Sequence, residues 1–213
     1  LFFGNTEVGV DGEGADRAHL NLRDGQDAAI SQIAARNPNL AVIIATPDAV
    51  VMPWIDEVGV VLMPFYGGQG VGNAIAQILS GAQNPSGKLT VTFPEQLEDV
   101  PGFLTYPGEN HRHVYAEGLF VGYRGYDKRK TETLFPFGFG LSYTSFSYSN
   151  VTCDTDRVTE DSTFTIKVDV TNTGSRAGKE IVQVYVRPHA PRLSRPIREL
   201  KGFAKLALEP GET

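Results

Sequence analysis

An α/β layer with a mostly parallel sheet, followed by an antiparallel β-sandwich, is the fold class that the sequence predicts. Three observations carry this. Residues 1 to about 95 alternate strand-like and helix-like segments at the spacing of βαβ units. Residues 95 to 146 are rich in Gly, Pro, Tyr and Phe and show little periodicity. From about Phe146 the hydrophobic period becomes two.

The elements follow in order. Leu1-Phe2-Phe3 reads as the end of a strand, and 25–37 as a helix with Ala28, Ala29, Ile33 and Ala34 at helical spacing. The run LAVIIAT (40–46) is apolar and β-branched, the pattern of a strand buried on both faces. A second such run, VGVVLMPF, covers 58–65, and the residues between, Pro53 and Trp54 to Val58, read as a short helix or turn with Trp54 in the core. Residues 70–82 read as a helix stopping near Gly81, and GKLTVTFP (87–94) as a third strand. The irregular stretch 95–146 is too long for a plain connection, and its aromatic residues need burial, so it is expected to wrap over another domain. Within it, YDKRK (126–130) reads as a solvated loop. Beyond it, Phe164, Ile166, Val168 and Val170 alternate onto one face before TNTGSRAG turns into EIVQVYV. This is antiparallel β of the immunoglobulin-like or fibronectin-type kind, which normally needs about seven strands and roughly 100 residues. The segment 147–213 is shorter, so an incomplete sandwich with an open edge is expected.

Composition excludes some functions. With 213 residues, 41% hydrophobic and 21% charged, the chain can bury a real core. Its net charge of −6 argues against nucleic acid or an anionic membrane as partner, since either needs a basic footprint. No apolar run reaches the length of a membrane-spanning helix. The single cysteine, Cys153, can form neither an internal disulfide nor a zinc cluster. One sequon, Asn150-Val151-Thr152, makes Asn150 a glycosylation candidate and points to a secreted protein. The chain starts on Leu1 inside a strand and stops as a turn begins at Glu209-Pro210-Gly211, so both ends read as cut from a longer protein.

The first chemistry-bearing stretch is GNTEVGVDGEGADR (4–17), in which Glu7, Asp11 and Glu13 stand among glycines ahead of Asp16-Arg17. It follows a strand and precedes a helix, and ligands of α/β sheets bind at the carboxyl ends of strands. Glycines beside Glu13 would let the backbone approach a ligand closely. A solvated acidic loop is the competing reading. A nucleotide cradle is not supported, because these carboxylates would repel phosphate. His111 and His113 have no further Cys or His nearby to complete a metal site, so surface or structural roles are expected. Ser86 and Ser142 have no histidine at an interpretable position.

Six motifs in order then supply a resemblance: GEGADR, PWIDEV, YGGQGVGNAIAQILSGAQNPSGKLTVTFP, VYAEGLFVGYRGYD, LFPFGFGLSYTSF and GKEIVQVYVRP through RPIRELKGFAKLALEPGET. Together they make the chain resemble glycoside hydrolase family 3, the β-glucosidases and related exo-acting enzymes, over essentially its whole length. The resemblance implies a three-layer α/β sandwich domain at 1–135, a linker at 136–146 and a truncated fibronectin type III-like domain at 147–213. It also implies a preceding barrel domain that carries the aspartate nucleophile.

Retaining glycosidases use two carboxyl groups about 5–5.5 Å apart, one as nucleophile and one as acid then base. The resemblance places the acid/base at Glu13, with Glu7 and Asp11 as the alternatives because the stretch from Glu7 to Glu13 is longer than in many relatives; Asp16 and Arg17 match the motif too and are expected to pair and anchor the loop. At Ala15, where relatives often have an aromatic ring to stack on the leaving-group sugar, alanine offers no such face, which bears on aglycone preference. No cofactor or metal is implied. The expected substrate is an oligosaccharide or an aryl or alkyl β-glucoside, with the barrel as the partner domain and the isolated chain inactive. The alternatives are a non-catalytic carbohydrate-binding module and a purely structural module built on the β-sandwich. Against the binding module, the sandwich segment shows no exposed aromatic row.

Overall fold

The computed structural model describes residues 2–4, 17–159 and 162–213. They fall into two compact units that interleave along the chain. The first comprises Leu1–Ala76, Leu89–Phe139 and Tyr185–Glu199, and the second Gln77–Lys88, Gly140–Val184 and Leu200–Thr213.

The first unit is organised by a parallel sheet of β1 (Phe2–Gly4), β2 (Ala41–Ala45) and β3 (Val60–Leu62), in that order. Phe2 pairs with Ile43, and Ala41 with Val60. The apolar run that forms β2 is the central strand, and Val42, Ile43 and Ile44 are all buried. A strand covered on both faces has no place for a polar residue, so the run is unbroken. Each such aliphatic side chain contributes roughly 1.5–3 kcal/mol by burial. The run at 58–65, expected to be a second strand buried on both faces, forms only the short strand β3 at the end of the described sheet and leaves Val60 half exposed, because it pairs on one side with β2 alone.

Helix α1 (Gln26–Ala34) packs on this core through Ile30 and Ala34, one turn apart, while Ala28 of the expected apolar set faces solvent. Trp54 is fully buried and its indole Nε1–H donates to Asp27 Oδ1 at 2.7 Å, tying the first turn of α1 to the segment after β2. Burial raises the Asp27 pKa against the lowering effect of that bond. Helix α2 (Val71–Leu79) half-buries Val71, Ile75 and Ile78, spaced on one face.

Two further expectations change. The third strand at 87–94 is not a member of the parallel sheet. Leu89 donates to the Phe139 carbonyl at 2.7 Å, Gly138 donates back to Leu89 at 2.8 Å, and Phe93 bridges Phe135 antiparallel. The backbone groups that would have extended the sheet are thus satisfied by 135–139, where Pro136 and Gly138 prevent a regular ladder. The second change is at YDKRK, which lies mostly within a helix, α3 (Tyr123–Arg129), rather than a solvated loop. Tyr126 is buried, and a Cβ on Gly125 would lie 2.2 Å from the Phe120 carbonyl oxygen, so only glycine fits that crossing. Asp127 accepts two hydrogen bonds from Arg198, at 2.8 and 3.1 Å, and the guanidinium also lies over the Tyr185 ring. This fork-to-fork pair raises the Arg198 pKa and fixes the outer face of α3.

In the second unit, β4 (Phe146–Cys153) and β5 (Ile166–Asn172) pair antiparallel, with a register break between Ser149 and Thr152 where Asn150 has positive φ. Strands β6 (Gly178–Val186) and β7 (Glu199–Leu208) form a second two-stranded sheet. The period-two face of β5 closes progressively: Ile166 is exposed, Val168 intermediate and Val170 buried. At the end of the strand, the Asn172 side chain is fully buried and fully satisfied. It donates to the Arg176 and Leu208 carbonyls and accepts from Thr144 Oγ1 and the Gly174 amide. A buried amide of this kind fixes one arrangement of the surrounding turns. Among the described residues, no helix is long and apolar enough to cross a membrane.

Candidate functional site

The parallel sheet gives the first unit a carboxyl edge, formed by the ends of β1 at Gly4, β2 at Ala45 and β3 at Leu62. Beyond β2 the chain turns sharply. Thr46 Oγ1 donates to the Asp48 carbonyl at 2.7 Å, and Asp48 Oδ1 accepts from the Ala49 amide at 2.7 Å. These local bonds stand in for ladder bonds and hold the Ala49 carbonyl in place.

Arg17 meets that carbonyl. Both its terminal nitrogens, Nη1 and Nη2, donate to Ala49 O at 3.3 Å. Arg17, which follows the acidic stretch expected to carry the chemistry, is therefore tied to the turn just beyond the carboxyl end of β2. Glu7, Asp11, Glu13, Ala15 and Asp16 lie outside the described residues, so the expected Asp16–Arg17 pair does too.

Next to the clamp is a cavity of about 470 Å³, lined by Asp48 and Ala49 together with Thr90 to Thr92, Pro101, Glu117, Val121, Tyr123, Tyr126 and Phe137. Two buried side-chain atoms on its wall, Thr92 Oγ1 and Glu117 Oε2, have no hydrogen-bond partner among the described residues. Burial pushes the Tyr126 hydroxyl up to about 12, so it stays protonated across the working range of most enzymes. Glu117 belongs to the motif VYAEGLFVGYRGYD but was not singled out by spacing or composition.

The other sequence candidates are placed as follows. His111 and His113 are exposed, and His113 stacks on Tyr115 with ring centroids 4.8 Å apart. No group of three or more potential metal ligands occurs among the described residues. Ser142 donates to Asn84 Oδ1 at 2.9 Å. Asn150 is exposed on β4, and its amide donates to Asp169 at 2.7 Å. Cys153 is a free, exposed thiol.

Comparison with known proteins gives the chain its class. Residues 1–143 match the model of the glycosyl hydrolase family 3 C-terminal domain, and residues 180–213 that of a fibronectin type III-like domain. The chain belongs to glycosyl hydrolase family 3. It is 48% identical over 200 residues to thermostable beta-glucosidase B of Acetivibrio thermocellus, covering 94% of this chain and 26% of that protein. It is 46% identical over 205 residues to the probable beta-glucosidase I of Neosartorya fischeri, covering 94% of this chain and 24% of that one. Among solved structures, the beta-glucosidase of Kluyveromyces marxianus in complex with glucose superposes with a TM-score of 0.91 at 40% identity, over 99% of this chain and 25% of that protein. The chain thus spans about a quarter of the length of the relatives it matches.

Proposed function

We propose that this chain is the acid/base-bearing part of a retaining, exo-acting β-glycosidase, a β-glucosidase that removes terminal non-reducing β-D-glucosyl residues. Glu13 is the general acid/base, and the aspartate nucleophile lies on a barrel domain outside this chain. The observation that carries this reading is the Arg17 clamp on Ala49, because it brings the return of the Glu13 loop to the carboxyl edge of a parallel sheet. The relatives' names support the substrate class.

In the first step Glu13 would give its proton to the glycosidic oxygen as the bond to the anomeric carbon breaks. In the second, its carboxylate would take a proton from the water that attacks the glycosyl–enzyme ester. Cover by the barrel would keep the Glu13 pKa high enough to hold a proton at mildly acid pH. In its finer architecture we read the first unit as a three-layer α/β sandwich and the 147–213 segment as an incomplete fibronectin type III-like sandwich. The exposed sequon at Asn150 supports a secreted location.

The test is an aryl β-glucoside assay of the full-length protein and of this chain alone. Hydrolysis by the full-length protein and none by the chain is expected, since one carboxyl group of the pair is absent from it. Robust turnover by the chain alone would overturn the division of labour.

Arg17 supplies a second test, because it acts through the loop and not on substrate. In the full-length enzyme, Arg17→Ala should lower kcat about tenfold or more while KM changes little, and Arg17→Lys should recover part of the loss, as one donor instead of a fork reaches Ala49. Unchanged kinetics in Arg17→Ala would remove the clamp from the account.

A further inference from the structure

Beyond the carboxyl end of β3, residues 63–70 hold a combination that core packing alone does not require. Phe65 has φ +52°, a left-handed conformation that a bulky side chain keeps only where its surroundings impose it. Its side chain packs against the core, with its ring 6.4 Å from that of the buried Phe93. The residue that follows, Tyr66, is 52% exposed, and the whole run YGGQG (66–70) faces solvent. The core accounts for Phe65, and the strained turn leaves the second of two consecutive aromatic residues on the surface.

The loop is held in one shape. A Cβ on Gly67 would lie 2.7 Å from Val71 Cγ2, and Gly68 has φ +70°, so both positions require glycine. The Val71 amide donates to the Gly68 carbonyl at 3.3 Å, and Thr46 Oγ1, at the start of the turn beyond β2, lies 3.8 Å from Met63 Sδ. The loop thus leaves the sheet at the same edge as the turn to which Arg17 is tied. Strand β1, whose last residue Gly4 precedes the acidic stretch in sequence, and strand β3 flank β2 in parallel. Their ends are therefore two strand spacings, about 10 Å, apart, a separation that a disaccharide spans.

The residues at 66–70 suit a pyranose ring. A sugar presents C–H groups on its ring faces and hydroxyls at its rim. A tyrosine ring covers the first, the Gln69 amide both donates to and accepts from the second, and Gly67, Gly68 and Gly70 let the backbone approach closely. We propose that the 65–70 loop binds the leaving-group sugar of the substrate, and that Tyr66 is the residue that favours a glycosyl leaving group over a small alkyl one. This deepens the glycosidase reading and rests on it.

The full-length protein tests this through the ratio of kcat/KM on cellobiose to kcat/KM on methyl β-glucoside, whose leaving group has no ring. Tyr66→Ala should lower the ratio roughly tenfold, the size of one lost aromatic contact, and Tyr66→Phe should keep it, since the ring remains. A merely structural role would depress both substrates together and leave the ratio where it was. An unchanged ratio in Tyr66→Ala, or an equal fall in Tyr66→Phe, would overturn the inference. Gln69→Ala, at an exposed position, should lower the ratio as well, and an unchanged ratio there would overturn the inference even if Tyr66→Ala fails to fold. A loss confined to phenyl β-glucoside, with cellobiose unaffected, would make the loop an aryl site and defeat the proposal. Each of these failures leaves hydrolysis of glucosides standing, whereas a parent protein inactive on every glucoside would remove the glycosidase reading and this inference with it.

Discussion

Glu13→Gln in the full-length enzyme should lower kcat/KM on an alkyl β-glucoside by roughly 10²- to 10⁴-fold, the range of a lost general acid. On 2,4-dinitrophenyl β-glucoside the same variant should keep kcat/KM nearly unchanged, because that leaving group departs as a stable anion and needs no proton. Its kcat should still fall, since the second step has lost its base and the glycosyl–enzyme ester accumulates. This split follows from the two roles proposed for one carboxyl group, and a merely structural residue would not produce it. Glu7→Gln and Asp11→Asn should leave both substrates near the parent values. An equal loss on both substrates in Glu13→Gln would take the acid role away from it.

Glu180→Ala should cost about 3 kcal/mol of stability, the lower end of the range for breaking a buried ion pair. Glu180 on β6 is largely buried and holds two partners, one of them anchored in turn to the backbone. Its Oε2 meets Lys88 Nζ at 3.2 Å, its Oε1 accepts from the Tyr148 hydroxyl at 3.0 Å, and Lys88 Nζ donates to the Gly140 carbonyl at 2.8 Å. Burial first, and then the bond to Glu180, push the Tyr148 hydroxyl up to about 12, so it remains a donor at all ordinary pH. Removing the carboxylate strands a lysine ammonium that is only 16% exposed. The double variant Lys88→Met/Glu180→Leu should recover most of the loss, because it removes both charges and keeps the volume. Thermal melting of the full-length single and double variants checks this, and an unchanged midpoint in Glu180→Ala would contradict it.

Where one physical effect dominates, the sequence and the structure agree. The run at 40–46 is apolar because both faces of β2 are covered, and its composition alone marked it as a strand buried on both faces. Trp54 was legible as a core residue, and helices α1 and α2 from apolar residues at helical spacing. The 87–94 segment was not, because its strand-like composition served a different partner, the irregular 135–139 stretch, and pairing partners are not written in local periodicity. At YDKRK the charges pointed to solvent, yet Tyr126 is buried beneath them and Asp127 is held by Arg198, seventy-one residues along the chain. Long-range ion pairs leave no mark on local composition. The candidate loop stands out in the sequence as an acidic, glycine-rich stretch and as a family motif, and its residues 5–16 lie outside the described ones. Its clamp partner, the Ala49 carbonyl, carries no side-chain signature, and the Glu117–Thr92 cavity wall is assembled from segments far apart in sequence.

The central claim is that the loop of this chain supplies the acid/base to a retaining mechanism, and azide tests it most directly. In the full-length Glu13→Ala enzyme with an activated aryl β-glucoside, azide should attack the accumulated glycosyl–enzyme ester without needing a base. The expected result is a large rise in turnover and a β-glucosyl azide product, with retention at the anomeric carbon. No acceleration by azide, or an α-glucosyl azide product, would contradict the assignment of Glu13.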